Sequence, residues 1–398
     1  MPIFNKKIKY KRRDASGSGS YLPSQIAERY SFPAGYQLWN RRLAIVELGG
    51  SYSSSTVYTY CRQFGYQLPR LRSFTIDGQG VISDGPDGAD GEVQLDIEVA
   101  AAVCPGLNID IYFAPNTIQG FSDGIAAAAR SGVDAISISW GAPEDSYTES
   151  DRALMESALA SSPIPIFAAM GDNGATDGTD IIQVDYPASS QYSIGVGGTY
   201  IVGPIGSNGE IVWNDSAGVT GGGFSASTGR PSYQEGYISN NNYRSCPDLA
   251  ANASPNSGYV VNVDGTNRVI GGTSAAAPLL ACLYILIISR LDGAIKNADG
   301  SAPGFIEALY HFGAGWSVGA VPGVFTDITE GSNGFYAAQT GFDQCTGLGV
   351  PNGEALLAAL AKSLNVTPKP PDLNDPNPVT PPPLPWYKAL LRRLLGWM

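Results

Sequence analysis

Gly271-Gly272-Thr273-Ser274-Ala275-Ala276-Ala277-Pro278 leads straight into residues 279–288, the longest apolar stretch of the chain. Two glycines permit a tight turn, and the alanines and leucines that follow are strong helix formers. The octet therefore reads as a strand-to-helix turn, with Ser274 opening a buried helix over 274–291. A serine hydroxyl is a poor nucleophile near neutral pH unless a base takes its proton. The chain has one histidine, His311 in Leu309-Tyr310-His311-Phe312, outside every motif and expected to be partly buried and structural. If Ser274 reacts, a carboxylate takes its proton, and it does so well only in acid, where its pKa lies near the working pH.

Gly91-Glu92-Val93-Gln94-Leu95-Asp96-Ile97-Glu98-Val99-Ala100-Ala101-Ala102-Val103 supplies candidates. It reads as a helix over 92–103 ending before Cys104-Pro105. Glu92 and Asp96 stand four apart on one helical face, with Cβ atoms roughly 5–6 Å apart. Like charges at that range push proton affinities apart, dividing acid and base roles. A second turn, Gly171-Asp172-Asn173-Gly174, follows the apolar run Pro165-Ile166-Phe167-Ala168-Ala169-Met170, the position where open α/β sheets place functional loops. Asp-Asn-Gly is also turn chemistry in its own right.

These stretches, with Ser137-Ile138-Ser139-Trp140-Gly141, Phe325-Thr326-Asp327-Ile328-Thr329 and Gly341-Phe342-Asp343, together resemble the sedolisins, the serine-carboxyl peptidases, and within them the kumamolisin-like members. The resemblance runs from about Tyr21 to about Leu364. It implies Ser274 as nucleophile, Glu92 as general base and acid, Asp96 as its partner, and a protonated Asp172 as oxyanion stabiliser. The backbone N–H of Ser274, at a helix start, would be the second oxyanion donor. The resemblance also places Glu47 and Trp140 near Glu92, in a proton network where the indole N–H donates to Glu47. It further implies one structural Ca²⁺ held by Asp327 and Asp343 with the main-chain oxygens of Ile328, Gln339 and Gly341, a donor set that suits a hard cation. A subtilisin mechanism would need a histidine before the serine, and none precedes Ser274.

Strand-type runs at 43–48, 109–113, 135–139, 164–170 and 193–197 alternate with helical patterns at 92–103, 117–131, 150–161, 274–291 and 353–364. That alternation builds a parallel sheet covered on both faces. The expected fold is α/β: a subtilisin-like, doubly wound, mostly parallel sheet, with a calcium-binding loop region near the end of the domain. Residues 200–270 are rich in Gly, Asn and Ser. Here Gly221, Gly222 and Gly223 read either as a turn or as an edge that pairs with an extended peptide. Asp185 matches a family position near the specificity pockets, where it would favour basic or polar side chains.

The expected divisions are 1–20, a basic arm and flexible linker; 21–366, the peptidase-like domain; 367–385, a Pro-rich spacer; and 386–398, an amphipathic basic helix. In that last segment Tyr387, Leu390, Leu391, Leu394, Leu395 and Met398 share one helical face, and Lys388, Arg392 and Arg393 lie largely opposite. The pattern suits a membrane surface or a groove on a protein. Sedolisins are generally made with a large prosegment, and only residues 1–20 precede the domain here. Residues 1–13 are basic without the apolar core of a secretory signal, so the compartment is not legible.

Net charge is −12, and six of the 24 basic residues lie in 6–13, with four more beyond 367. That leaves 14 basic against 34 acidic residues in 14–367, a formal charge of −20. Such a body excludes nucleic acid as a partner and loses self-repulsion in acid. No run of 18 apolar residues spans a membrane. Five cysteines in no metal-binding spacing leave at least one thiol without an intramolecular partner. The expected activity is acid peptide hydrolysis, by a monomer acting as an endopeptidase on protein or peptide substrates. Tripeptidyl exopeptidase action and a silent binding protein reusing the fold are the alternatives.

Overall fold

The computed structural model describes residues 10–11, 19–78, 82–203, 209–238, 241–291, 304–313 and 323–371. Among them, eight strands form the central sheet. In chain order they are β1 (Arg42–Glu47), β2 (Arg70–Thr75), β3 (Asn108–Phe113), β4 (Ala135–Ile138), β5 (Ile166–Ala169), β6 (Ile194–Ile201), β7 (Glu210–Val212) and β8 (Leu249–Asn252). Their spatial order is β7-β6-β5-β4-β1-β3-β2, with β8 also paired to β6. Only β7 runs antiparallel to its neighbour.

The inner strands are continuous apolar runs because both faces are covered. Successive side chains point to opposite faces, so Leu43 and Ile45 enter one core while Ala44 and Val46 enter another. Helices α4 (Ile118–Ala129) and α5 (Glu149–Ala160) pack together on the second face. On the first lie α3 (Ala89–Val103) and α6 (Thr273–Arg290), packed against each other. An outer layer of α1 (Pro23–Arg29), α2 (Ser54–Phe64) and strand β9 (Tyr259–Val263) covers α3. That layer explains why α3 is buried nearly all round instead of showing one polar face. Helix α6 is buried along its whole length, as the apolar run predicts.

Beyond β9, strand β10 (Thr266–Ile270) completes a hairpin and runs directly into the Gly271 turn. Within the basic arm, Tyr10–Lys11 pair antiparallel with Val269 and Ile270 of β10. Helices α7 (Gly304–Gly313) and α8 (Gly353–Ser363) follow. All five cysteines are buried free thiols. His311 is solvent-exposed on α7, not partly buried, because it faces away from the apolar residues that seat that helix. Most of the Pro-rich spacer and all of the 386–398 segment lie outside the described residues.

Candidate active site

The chain winds outward in both directions from β1, whose neighbours are β3 and β4. In open α/β sheets such a reversal opens a crevice at the carboxyl ends of the strands. Glu47 is the last residue of β1, and Trp140 lies two residues beyond the end of β4. Trp140 Nε1–H donates to Glu47 Oε2 at 2.7 Å, and both side chains are buried. The next strand over, β5, ends at Ala169 and delivers the turn that carries Asp172.

Ser274 is buried at the second residue of α6. Its turn is fixed by Gly272, where φ is +118° and a Cβ would lie 2.8 Å from Asp172 Oδ2. Asp172 Oδ1 accepts from the backbone N–H of Thr273 at 2.8 Å and from its hydroxyl at 2.9 Å. The carboxyl thus sits at the N-terminus of α6, where it takes up N–H and hydroxyl donors that the helix itself leaves unpaired. Pro278, four residues after Ser274, has no N–H to return to the Ser274 carbonyl. The hydroxyl of Ser139, one residue past the end of β4, donates to that carbonyl at 3.2 Å instead. Ser139 escapes a reading based on motif chemistry alone, although the spacing of Pro278 from Ser274 signals that some donor is needed.

Glu92 and Asp96 are buried one turn apart on α3, the helix packed on α6. A further carboxyl on the same helix, Glu98, accepts from the backbone N–H of Asn262 at 2.5 Å and from Gln94 Nε2 at 2.6 Å. Burial pushes Glu98 well above the usual carboxylate range.

Asp185 is buried between the Trp140-Gly141 and Gly171-Asp172 turns. A Cβ on Gly141 would fall 1.9 Å from Asp185 Oδ1, so only glycine fits there. Burial, reinforced by the charge of Asp172, pushes the carboxyl of Asp177 up to about 7. Gly221, Gly222 and Gly223, read as a turn or as a peptide-pairing edge, lie next to the Asp172 turn. All three are buried, the Gly221 N–H donates to Gly171 O at 3.0 Å, and Gly223 pairs with Cys246. They back the Asp172 turn from beneath.

In the loop after α7, Asp343 is buried and Asp327 is exposed. The Gln339 N–H donates to Asp343 Oδ2 at 3.1 Å and the Gly341 N–H to Asp327 Oδ2 at 2.8 Å, so one short turn draws both carboxyls together. Asp343 Oδ1 also accepts from the N–H groups of Cys345 and Thr346. Ile328 is buried between them in sequence. Among the described residues no group of three or more His, Cys, Asp or Glu side chains gathers as a metal cluster. Any cation here therefore depends on main-chain oxygens.

Comparison with known proteins places this arrangement. The subtilase family profile matches residues 93–309. The chain is 40% identical over 378 residues to kumamolisin of Bacillus sp. (strain MN-32), an alignment covering 88% of this chain and 66% of that protein. It is 29% identical over 334 residues to xanthomonalisin of Xanthomonas sp. (strain T-22), covering 70% of this chain and 38% of that one. The chain thus spans less than two thirds of the length of either relative. Its fold is similar to Pseudomonas sedolisin, a serine-carboxyl proteinase complexed with two molecules of pseudo-iodotyrostatin. That match has a TM-score of 0.75 at 23% identity and covers 87% of this chain and 99% of that one. The chain belongs to the subtilase family, in its sedolisin branch, and is kumamolisin-like.

Proposed function

We propose that the protein is an acid-active serine-carboxyl endopeptidase. The observation that carries this reading is the meeting of Asp172 with the first residues of α6 beside Ser274, in a chain with no histidine before that serine. The Ser274 hydroxyl attacks the scissile carbonyl carbon while Glu92 takes its proton. The oxyanion accepts from protonated Asp172 and from the Ser274 N–H, two donors aimed where charge develops. With Oδ1 committed to Thr273, Oδ2 is the oxygen that carries the proton. Glu92 then protonates the leaving amine, the peptide C–N bond breaks, and an acyl ester remains on Ser274. Water attacks that ester with its proton passing to Glu92, and Glu92 returns the proton to Ser274 Oγ as the ester C–O bond breaks, releasing the acid and restoring both groups. Asp96 pairs with Glu92, and Glu47, held by Trp140, extends the proton network. Asp185, between the two turns that flank the crevice, favours basic or polar substrate side chains.

Asp327 and Asp343, with the carbonyls of Ile328, Gln339 and Gly341, would hold a calcium ion. The donors are all oxygen and two carboxyls converge on one turn, which fits a hard cation in kind. The ion would neutralise that charge and hold the loop, a structural role.

Hydrolysis of a quenched peptide library between about pH 2.5 and 8, wild type against Ser274→Ala, tests the reading. Cleavage limited to acid and absent from the variant is expected. A folded wild type inactive at every pH would contradict it.

A further inference from the structure

Asn333 sits in the same loop as Asp327 and Asp343, and at 1% exposure it is buried although most of its neighbours are exposed. Every polar group it carries is bonded. Its backbone carbonyl accepts from the N–H of Ala175 at 3.0 Å, directly after the Asp172 turn. Its Nδ2 donates to the carbonyl of Gly222 at 3.1 Å, and its Oδ1 accepts from the N–H of Tyr336 at 3.0 Å. The backbone N–H returns to the Tyr336 carbonyl at 3.0 Å.

Room for this knot is made by glycine. At Gly174, with φ of +74°, a Cβ would fall 2.9 Å from the Asn333 carbonyl oxygen, and at Gly222 one would fall 2.1 Å from that of Gln344. The segments so joined are the two that hold the Asp172 turn. From beneath, Gly221 N–H bonds Gly171 O, and Val219 N–H bonds Asp172 O, both at 3.0 Å. From beyond, the 174–176 helical turn is tied to the loop. One residue therefore bridges both supports of the candidate oxyanion carboxyl, its side-chain amide holding the Gly222 segment and its backbone carbonyl the 174–176 turn.

We propose that Asn333 is a positioning residue for transition-state stabilisation, setting where the Asp172 carboxyl stands relative to Ser274. The inference rests on the peptidase reading above. Preorganised donors lose their effect when displaced by fractions of an ångström, and a 1 Å error costs on the order of a hundredfold. Loss of the Asn333 amide therefore lowers kcat more than it raises KM.

The test compares wild type, Asn333→Ala and Asn333→Asp in acid, with Ser274→Ala as the floor. It measures kcat and KM on one peptide. Calorimetry adds the affinity for a peptide aldehyde, which forms a tetrahedral adduct with serine, and for the matching peptide amide, which does not. N333A should lose about tenfold to a hundredfold in kcat and a similar factor in aldehyde affinity, with the amide bound as by wild type. N333D keeps the shape and, when protonated, can still donate to the Gly222 carbonyl. It should stay near wild type at the acid end and lose kcat relative to wild type as pH rises. A folded N333A with wild-type kcat and aldehyde affinity overturns the proposal. If N333A does not fold, an N333D profile that tracks wild type at every pH overturns it. Inactive wild type strikes the peptidase reading instead; active wild type, dead S274A and indifferent Asn333 variants strike only this inference.

Discussion

The Trp140 indole N–H meets the Glu47 carboxyl at 2.7 Å, joining the carboxyl ends of two adjacent parallel strands. The bond is buried, so it does not compete with water. A donated hydrogen bond favours a charged carboxylate, so in the proposed proton network this bond would tune how Glu47 shares a proton. Trp140→Phe keeps an aromatic ring at this buried position and removes the donor together with part of the indole. The expected result is a shifted acid limb in the pH–rate profile with the melting temperature lowered by only a few degrees, read from kcat/KM across the acid range. An unshifted limb would remove Glu47 from the proton network.

Ser139 and Pro278 form a compensating pair around the Ser274 carbonyl. Ser139→Ala leaves a buried carbonyl without its donor, at a cost of about 1–3 kcal/mol, and lowers kcat by shifting the start of α6. Pro278→Ala restores an N–H at the right spacing. The double variant should therefore recover part of both losses, as urea unfolding and steady-state kinetics would show. Strict additivity would contradict the coupling.

Carboxyl burial sets a direction for stability with pH. Asp177 titrates at about 7 in the folded chain, mainly through burial, against an ordinary 3.8, and burial also raises Glu98. Between the ordinary and raised values the folded chain binds more protons than the unfolded one, so stability falls as pH rises. A tenfold difference in proton affinity between the two states is worth about 1.4 kcal/mol. The melting temperature should drop from pH 4 towards 7, and Asp177→Asn, already neutral, should make that drop shallower. A wild type whose stability rises over this window would contradict the burial argument.

If calcium occupies the Asp327 and Asp343 loop, chelation lowers the melting temperature, and Asp343→Asn abolishes the response. Scanning calorimetry with and without chelator checks this. An identical melting curve in both would count against a bound ion.

Much of the fold was legible because both sheet faces are covered. Inner strands such as Ala135–Ile138 and Ile166–Ala169 are apolar runs that could be read directly. Strand Arg70–Thr75 escaped, since it lies at the sheet edge and alternates exposed polar residues with half-buried ones. Its Arg72 is spent on Asp110, buried in the next strand. Helix Ser54–Phe64 escaped for a related reason, burying only Val57, Tyr60 and Cys61. At the site, side chains whose chemistry identifies them could be named from sequence. Those that act by holding backbone, Ser139 and Asn333, could not, because the partners that give them these roles, the Ser274 and Gly222 carbonyls and the Ala175 N–H, lie more than a hundred residues away. The Gly221, Gly222 and Gly223 run stayed open between a turn and an edge because glycine composition fits both, and its burial comes from tertiary packing.

The central claim is that a carboxylate, Glu92, does for Ser274 what histidine does elsewhere. Its most direct test is the hydrolysis rate of one good peptide substrate in acid by Glu92→Gln, with Ser274→Ala as the floor. The amide fills the same space and cannot exchange the proton, so kcat should fall by on the order of a thousandfold or more, towards the S274A floor. A folded E92Q within about tenfold of wild type would contradict the account.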